Sequence, residues 1–354
     1  MKILSIVGAR PQFIKLAPLV DKLKGKHESV ILHTGQHYNP EMSQLIFDQL
    51  NIPEPDYNLE VGSHTQGKQT GLMLEGIEKV LLKERPDIVV VFGDTNSTIA
   101  GVLAAVKLHI KTAHVEAGLR SFNRAMPEEI NRVMTDHCSD VLFAPTDVAV
   151  KNLVNEGIVS NVFLVGDIMY DSILRNMSIA EKKSAIIDDL DLKNESYSVL
   201  TLHRQENTDT VENLVRIING LIRSNENIIF PIHPRTVKYL KECSLMEKIN
   251  GSNIRMIDPL GYLDFLLLMK NASKIITDSG GIQKEAYFMR KPCITLRNET
   301  EWIETVEDGW NILVGADEDR IVNALNDFDP KGSIKDFYGD GTCAEKIVTI
   351  LNSR

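Results

Sequence analysis

The feature that most constrains this chain is a repeating unit. A short, unbroken apolar run rich in β-branched residues leads into a turn and then into a stretch with helical period. In the first half the runs are Ile3–Val7, Ser29–Leu32, Ile88–Phe92, Thr112–Val115, Val141–Ala144 and Val162–Val165. In the second they are Ser198–Leu202, Ile228–Pro231, Ile254–Ile257, Lys274–Thr277, Pro292–Leu296 and Asn311–Val314. Continuous rather than alternating apolar strands belong to a sheet covered on both faces. Strand–helix alternation along the whole chain belongs to doubly wound parallel sheets. At 354 residues the chain is long for one such domain and comfortable as two. The stretch 171–196 has no strand pattern and is rich in Lys, Asp, Glu and Ser. The predicted fold class is therefore α/β, with two Rossmann-like doubly wound parallel-sheet domains facing a cleft. The first covers 1–170, a helix and linker 171–196, and the second 197–340. A final helix within 341–354 can cross back to the first domain.

Charge and cysteine usage exclude several function classes. The formal net charge is −10, from 49 acidic and 39 basic side chains. A general nucleic-acid binder needs a basic face, so none is expected here. An anionic small molecule is still admissible, because one helix N-terminus and a few placed cations can hold a phosphate locally. Cys138, Cys243, Cys293 and Cys343 lie far apart, without the short spacings of a zinc set or a redox motif. They read as reduced, small hydrophobes of an intracellular protein. The first apolar run is too short for a signal peptide or a membrane span, so the expected location is cytoplasmic, with no membrane partner.

In open parallel sheets ligands bind beyond the carboxyl ends of the strands, so the residues there should look chemical. They do. After the first strand come Gly8-Ala9-Arg10-Pro11 and then Lys15, a tight turn with two cations suited to an anion. After the second comes His33-Thr34-Gly35-Gln36-His37, and after the third Gly93-Asp94-Thr95-Asn96-Ser97. Asp94 could be a simple helix cap. His114-Val115-Glu116-Ala117-Gly118-Leu119-Arg120 follows, and an acid on the tail of a buried strand is costly unless paired or used. Met126-Pro127-Glu128-Glu129-Ile130-Asn131-Arg132 opens a helix, where Pro and Glu also suit the helix dipole. Three acids, Asp94, Glu116 and Glu128, are thus expected on one rim.

The second half carries a matching set: His203-Arg204-Gln205-Glu206-Asn207 and His233-Pro234-Arg235 at successive strand ends. The most specific element is Thr277-Asp278-Ser279-Gly280-Gly281-Ile282-Gln283-Lys284-Glu285. Adjacent glycines let backbone N–H groups approach a phosphate, Ser279 adds a hydroxyl, and the following helix favours negative charge. Glu285 could accept hydrogen bonds from ribose hydroxyls. The segment is neither a Walker loop nor a dinucleotide fingerprint, so no NAD or ATP cofactor is predicted. No metal constellation is present in the sequence.

From Gly8-Ala9-Arg10-Pro11 to Glu307 these motifs, in this order, resemble the non-hydrolysing UDP-N-acetylglucosamine 2-epimerases, which have the two-domain B-type glycosyltransferase architecture. The resemblance implies that Asp94, Glu116 and Glu128 are catalytic carboxylates and His203 a catalytic histidine. It implies that Arg10 and Lys15 hold the nucleotide or the leaving diphosphate, with His233 nearby. Ser279, Gly280 and Gly281 match the phosphate loop, Glu285 the ribose contact, Phe265 the uracil contact and Leu260 a backbone contact. The chain departs from the common bacterial pattern at Tyr38, where relatives carry Arg, and at Trp302-Ile303, where they carry Arg-Pro. The first change puts activation by a second substrate molecule in doubt, and the second leaves room for a modified sugar.

The implied reaction is elimination and re-addition at carbon 2 of a UDP-sugar, with no cofactor, in a homodimer. Four alternatives stay open at this stage: an epimerase of a 2,3-diacetamido sugar nucleotide, a hydrolysing epimerase, a glycosyltransferase of the same fold, and a non-catalytic sugar-nucleotide sensor.

Overall fold

The computed structural model describes residues 1–36 and 50–353. The chain divides into two compact units, Met1–Arg175 together with Asp336–Arg354, and Asn176–Lys335.

Among the described residues, unit 1 is built on a seven-stranded sheet. Its strands are β1 (Lys2–Val7), β2 (Glu28–His33), β3 (Tyr57–Asn58), β4 (Ile88–Phe92), β5 (Lys111–Val115), β6 (Val141–Ala144) and β7 (Val162–Leu164). Their order is β3-β2-β1-β4-β5-β6-β7, and every neighbouring pair is parallel. Leu4, Ile6, Leu32, Val89 and Val91 pack on Met73, Ile77 and Leu81 of helix Gln66–Glu84, and on Ala100 and Ala104 of helix Asn96–Lys107. The alternate β1 residues Ile3 and Val7 are equally buried, as are Phe13, Leu16 and Leu19 of helix Arg10–Leu23. Both faces of β1 are therefore apolar, and each large side chain so buried contributes about 1.5–3 kcal/mol of transfer free energy.

Helix Cys343–Asn352 also belongs to unit 1. The backbone N–H groups of Cys343 and Ala344 donate to the buried Asp171 carboxylate at 3.1 and 2.9 Å. Asp171 thus serves amide donors that the first turn of that helix leaves without an intrahelical partner.

Unit 2 carries a six-stranded sheet: β8 (Ser198–Thr201), β9 (Ile228–Pro231), β10 (Ile254–Ile257), β11 (Lys274–Thr277), β12 (Cys293–Thr295) and β13 (Asn311–Leu313). The order is β10-β9-β8-β11-β12-β13, again parallel throughout. One face packs Leu200, Phe230, Ile276 and Ile294 against Leu214, Ile218 and Leu221 of helix Val211–Arg223. The other packs Val199, Ile229 and Ile275 against Leu268 and Met269 of helix Tyr262–Asn271.

The strands anticipated from apolar runs are all present, with ends shifted by a residue or two. Strand β3 is an addition. Its two residues bond to Leu32 and His33 of β2, too short a pairing to leave a periodic signal. Among the described residues no helix is long and apolar enough to cross a membrane.

Strand order decides where chemistry can sit. In unit 1 the winding reverses between β1 and β4, and in unit 2 between β8 and β11. At such a reversal the connecting helices diverge to opposite faces and open a crevice beyond the carboxyl ends of the two strands. In unit 1 that rim carries Gly8–Lys15 and Gly93–Asp94. In unit 2 it carries His203–Asn207 and Asp278–Gly281.

Candidate active site

At the rim of unit 1, Gly8 follows β1. The sequence suggested a sharp bend, but the requirement for glycine is crowding. A Cβ on Gly8 would lie 2.0 Å from Ser97 Oγ and 2.2 Å from Thr34 Oγ1. Those two hydroxyls are 2.8 Å apart and bonded to each other. Gln12 then pins the turn: its Oε1 accepts the Gly8 and Ala9 N–H groups at 2.8 and 3.1 Å, while its Nε2 donates to Phe92 O at 2.8 Å. This fixes the end of β1 against the end of β4. Arg10 is exposed in the first turn of the helix, and Lys15 points one turn further on.

Lys15 Nζ pairs with Glu116 Oε2, and both side chains are largely buried. The pair lies against Gly93, the residue before Asp94: a Cβ there would be 3.4 Å from each charged atom. Glu116 adopts a left-handed backbone, φ +72°. That conformation is disfavoured for a residue with a Cβ and persists only where surrounding contacts impose it.

Asp94 is not the helix cap. Thr95 occupies that position, and the Asp94 carboxylate is held by Arg132 at 2.5 Å. Arg132 in turn bonds Glu129 at 2.8 Å. Glu129 is buried and also accepts Ser121 N–H, Ser121 Oγ–H and Phe122 N–H at 2.8–2.9 Å. Burial pushes the Glu129 carboxyl up, and the Ser121 amide and Arg132 together outweigh it, so it lies below its ordinary value. Glu128, its neighbour, is exposed in the first turn of helix Pro127–Cys138, one turn from Arg132. The rim therefore brings Asp94, Glu116 and Lys15 onto adjacent strand ends, with Glu128 on the helix that grips Asp94.

Beneath this rim lies a buried ionic chain. His114 on β5 reaches Gly93 O with Nε2 at 2.8 Å and Asp136 Oδ1 with Nδ1 at 2.6 Å. Asp136 Oδ2 accepts Gly118 N–H at 3.0 Å and Arg120 Nη1–H at 2.7 Å. Arg120 completes a bidentate pair with Glu156, both contacts at 2.7 Å. Burial pushes the Asp136 carboxyl up, but His114 and Arg120 outweigh it and hold it below the usual carboxylate range.

Gly118 has no room for a side chain. Its φ is +82°, and a Cβ would sit 2.3 Å from the backbone oxygen of Ala149. Gly118→Ala is expected to destabilise the protein by about 2–4 kcal/mol, combining left-handed strain with an overpacked backbone contact. Urea unfolding checks this; an unchanged midpoint would contradict the crowding.

His33, at the end of β2, is buried and its Nδ1 accepts Gly35 N–H at 2.6 Å. Burial lowers its pKa from 6.5 to about 4. The folded state thus binds this proton more weakly than the unfolded chain. The stability it confers is complete above pH 6.5 and is lost as pH falls towards 4, by at most about 3 kcal/mol. Melting curves of the parent and His33→Gln should diverge across that window, and parallel curves would contradict the assignment.

In unit 2, Asp278 organises the rim. It is fully buried and accepts the N–H groups of His203 (3.1 Å) and Arg204 (2.9 Å) and the Asn207 amide (3.2 Å). The His203 ring is half exposed, with Nδ1 3.4 Å from Asp278. Ser279 stands at the N-terminus of helix Gly280–Phe288 without capping it through its side chain. Among the described residues, and apart from its own turn of helix, nothing lies within 4 Å of where a Gly281 Cβ would project. At Gly280 a Cβ would meet Glu301 Oε1 at 2.0 Å. Glu301 is paired with Arg297 at 2.9 Å and lies 3.9 Å from Arg204. Glu285 is buried within the helix.

The remaining predicted positions are less concentrated. His233 caps helix Pro234–Glu242, its Nδ1 accepting Arg235 N–H at 3.2 Å, so one ring nitrogen already has a structural task. Leu260 and Phe265 are partly buried and pack on one apolar cluster together with Ile282, which directly follows the two glycines. Trp302 lays its ring over the buried Lys284 ammonium, 4.3 Å from the centroid. His37 and Tyr38 lie outside the described residues. Among the described residues no three His, Cys, Asp or Glu side chains gather as a metal set.

The arrangement of unit 1 suits proton transfer, with carboxylates and a cation on a rigid rim. That of unit 2 suits a phosphate at a helix N-terminus. Comparison with known proteins bears on the identity of both. The family model described as UDP-N-acetylglucosamine 2-epimerase matches residues 21–352. A Methanococcus maripaludis UDP-N-acetylglucosamine 2-epimerase homolog is 57% identical over 356 residues, covering 100% of both chains. A Pseudomonas aeruginosa UDP-2,3-diacetamido-2,3-dideoxy-D-glucuronate 2-epimerase is 45% identical over 99% of both chains. The crystal structure of Methanocaldococcus jannaschii UDP-GlcNAc 2-epimerase in complex with UDP-GlcNAc and UDP superposes with a TM-score of 0.87 at 50% identity, covering 100% of both chains.

Proposed function

The chain belongs to the UDP-N-acetylglucosamine 2-epimerase family, a family of isomerases, and on that premise we propose that it interconverts UDP-N-acetylglucosamine and UDP-N-acetylmannosamine by eliminating and re-adding UDP. The observation that carries the reading is the rim of unit 1. There the Lys15–Glu116 pair packs against the turn that presents Asp94.

The proton on carbon 2 of the sugar is not acidic, so simple deprotonation and reprotonation has no accessible carbanion. Elimination avoids it. A carboxylate takes the carbon-2 proton as the carbon-1–oxygen bond to UDP breaks, leaving a glucal. Return of a proton to the opposite face of carbon 2, and of UDP to carbon 1, gives the epimer. Two proton-transfer groups are needed, and Asp94, Glu116 and Glu128 are the candidates. Lys15 and Arg10 are the cations for the departing diphosphate. In unit 2, Ser279, Gly280 and Gly281 are assigned to the diphosphate, Glu285 to the ribose, Phe265 and Leu260 to the uracil, and His203 and His233 to the phosphate side of the reaction.

A second reading is favoured by one observation: the Pseudomonas relative, a UDP-2,3-diacetamido-2,3-dideoxy-D-glucuronate 2-epimerase, is 45% identical over 99% of this chain. Incubation without any acceptor, first with UDP-N-acetylglucosamine and then with the diacetamido nucleotide, decides between them. UDP-N-acetylmannosamine as the product supports the first reading. Turnover of the diacetamido sugar alone replaces it with the second. Free N-acetylmannosamine plus UDP would mean a hydrolysing enzyme, and no change without an acceptor would point to transfer.

A further inference from the structure

The turns that present Asp94 and Glu116 follow the paired strands β4 and β5, whose last link is Gly93 N–H donating to Val115 O at 3.0 Å. The Glu116 turn beyond that bond is held in a left-handed conformation that relaxes unless something opposes it. One buried side chain ties the two turns further, bonding one directly and the other through a histidine ring. Asp136, in helix Pro127–Cys138, takes the Gly118 N–H at 3.0 Å, two residues beyond Glu116. It also takes the His114 ring at 2.6 Å, and the far side of that ring meets Gly93 O, one residue before Asp94, at 2.8 Å. A carbonyl oxygen only accepts, so His114 Nε2 donates to it. A carboxylate only accepts, so Nδ1 donates to Asp136. Arg120 and Glu156 complete the chain and leave Asp136 fully bonded.

We propose that Asp136 is a positioning residue for the proton-transfer chemistry, holding the Asp94 turn through His114 and the Glu116 turn through the Gly118 amide. It touches no substrate atom. Its effect is to keep two carboxylates in register on neighbouring strands, and misplacement by about an ångström can cost ~100-fold in turnover. This inference rests on the proposed epimerase reading, and deepens it.

The hydrogen-bond inventory supplies a sharp test. In Asp136→Asn the amide oxygen still accepts Gly118 N–H and Arg120, while the amide N–H donates to His114 Nδ1. The ring then keeps its Nε2 proton for Gly93 O, and both ties survive with the charge removed. In Asp136→Ala both ties are lost. Asp136→Ala is expected to lower kcat on UDP-N-acetylglucosamine ~100-fold, with KM within about 3-fold of the parent, because the phosphate loop of unit 2 is untouched. Asp136→Asn should stay within about 5-fold of the parent kcat. In a Glu116→Gln background, Asp136→Ala should cost less than the ~100-fold it costs in the parent, since one of the two groups it positions is already gone.

Amide exchange at Gly118 gives a readout independent of activity: faster in Asp136→Ala, parent-like in Asp136→Asn. Should Asp136→Ala not fold, His114→Phe carries the test. It leaves Asp136 bonded to Arg120 and Gly118 while cutting the tie to Gly93, and the same fall in kcat is expected. Parent-like kcat in Asp136→Ala or in His114→Phe, or Asp136→Asn as damaged as Asp136→Ala, would overturn the proposal. If the parent protein itself turns over no UDP-sugar, it is the proposed function that fails, and Gly118 exchange in the two Asp136 variants still tests the tie.

Discussion

Glu116→Gln is expected to fold as the parent does and to lose turnover by roughly 10²–10⁴-fold. The carboxylate sits on the tail of β5 beside Lys15, at a backbone angle that costs free energy to maintain. An amide of the same shape can keep the contact with Lys15 Nζ through its oxygen, so packing survives. What it cannot do is accept and release a proton. The measurement is a progress curve for UDP-N-acetylglucosamine together with circular dichroism of the same sample. Parent-like turnover would remove Glu116 from the chemistry. A lost fold would make it a structural residue instead.

Asp278→Ala should be the most damaging single change in unit 2. Asp278 is the shared acceptor for the His203 and Arg204 amides and for Asn207, so alanine leaves three donors without it in a water-poor site. Each such donor costs about 1–3 kcal/mol when buried and unsatisfied. Partial access of water to the loop reduces the sum, and a loss of about 3–5 kcal/mol is expected. For a unit of this size that lowers the melting temperature on the order of 10 °C. UDP affinity should fall as well, at least ~10-fold, because the loop bearing His203 and the loop bearing Ser279 are joined through Asp278. Calorimetry of melting and of UDP binding measures both. A variant that melts normally yet binds UDP weakly would make Asp278 a ligand contact rather than a loop anchor.

The fold was legible because its signal is physical and local. Strands buried on both faces must be continuously apolar, and Ile88–Phe92 or Ile228–Pro231 can hardly be anything else. Strand β3 escaped because two residues carry no period. The rim was legible where burial makes polarity expensive, as at Glu116. It was illegible where a side chain's partner is distant in sequence. Glu129 and Arg132 look like an ordinary helix pair three residues apart, and nothing local reveals that Arg132 reaches Asp94, 38 residues away. Asp136 looks like one more polar helical residue, yet it lies at the centre of the buried ionic chain. His233 shows the converse. A histidine at a strand end invites a chemical reading, and the structure gives its Nδ1 a capping hydrogen bond. Gly8 was expected for its flexibility and proves to be required for its smallness.

Inversion by elimination and re-addition obliges the carbon-2 hydrogen to leave the substrate. Turnover of UDP-N-acetylglucosamine in heavy water, followed by NMR of both sugar nucleotides, tests it directly. Deuterium is expected at carbon 2 of the UDP-N-acetylmannosamine formed and, as the reaction reverses, at carbon 2 of the recovered substrate. Inverted product that retains its original carbon-2 hydrogen would contradict it.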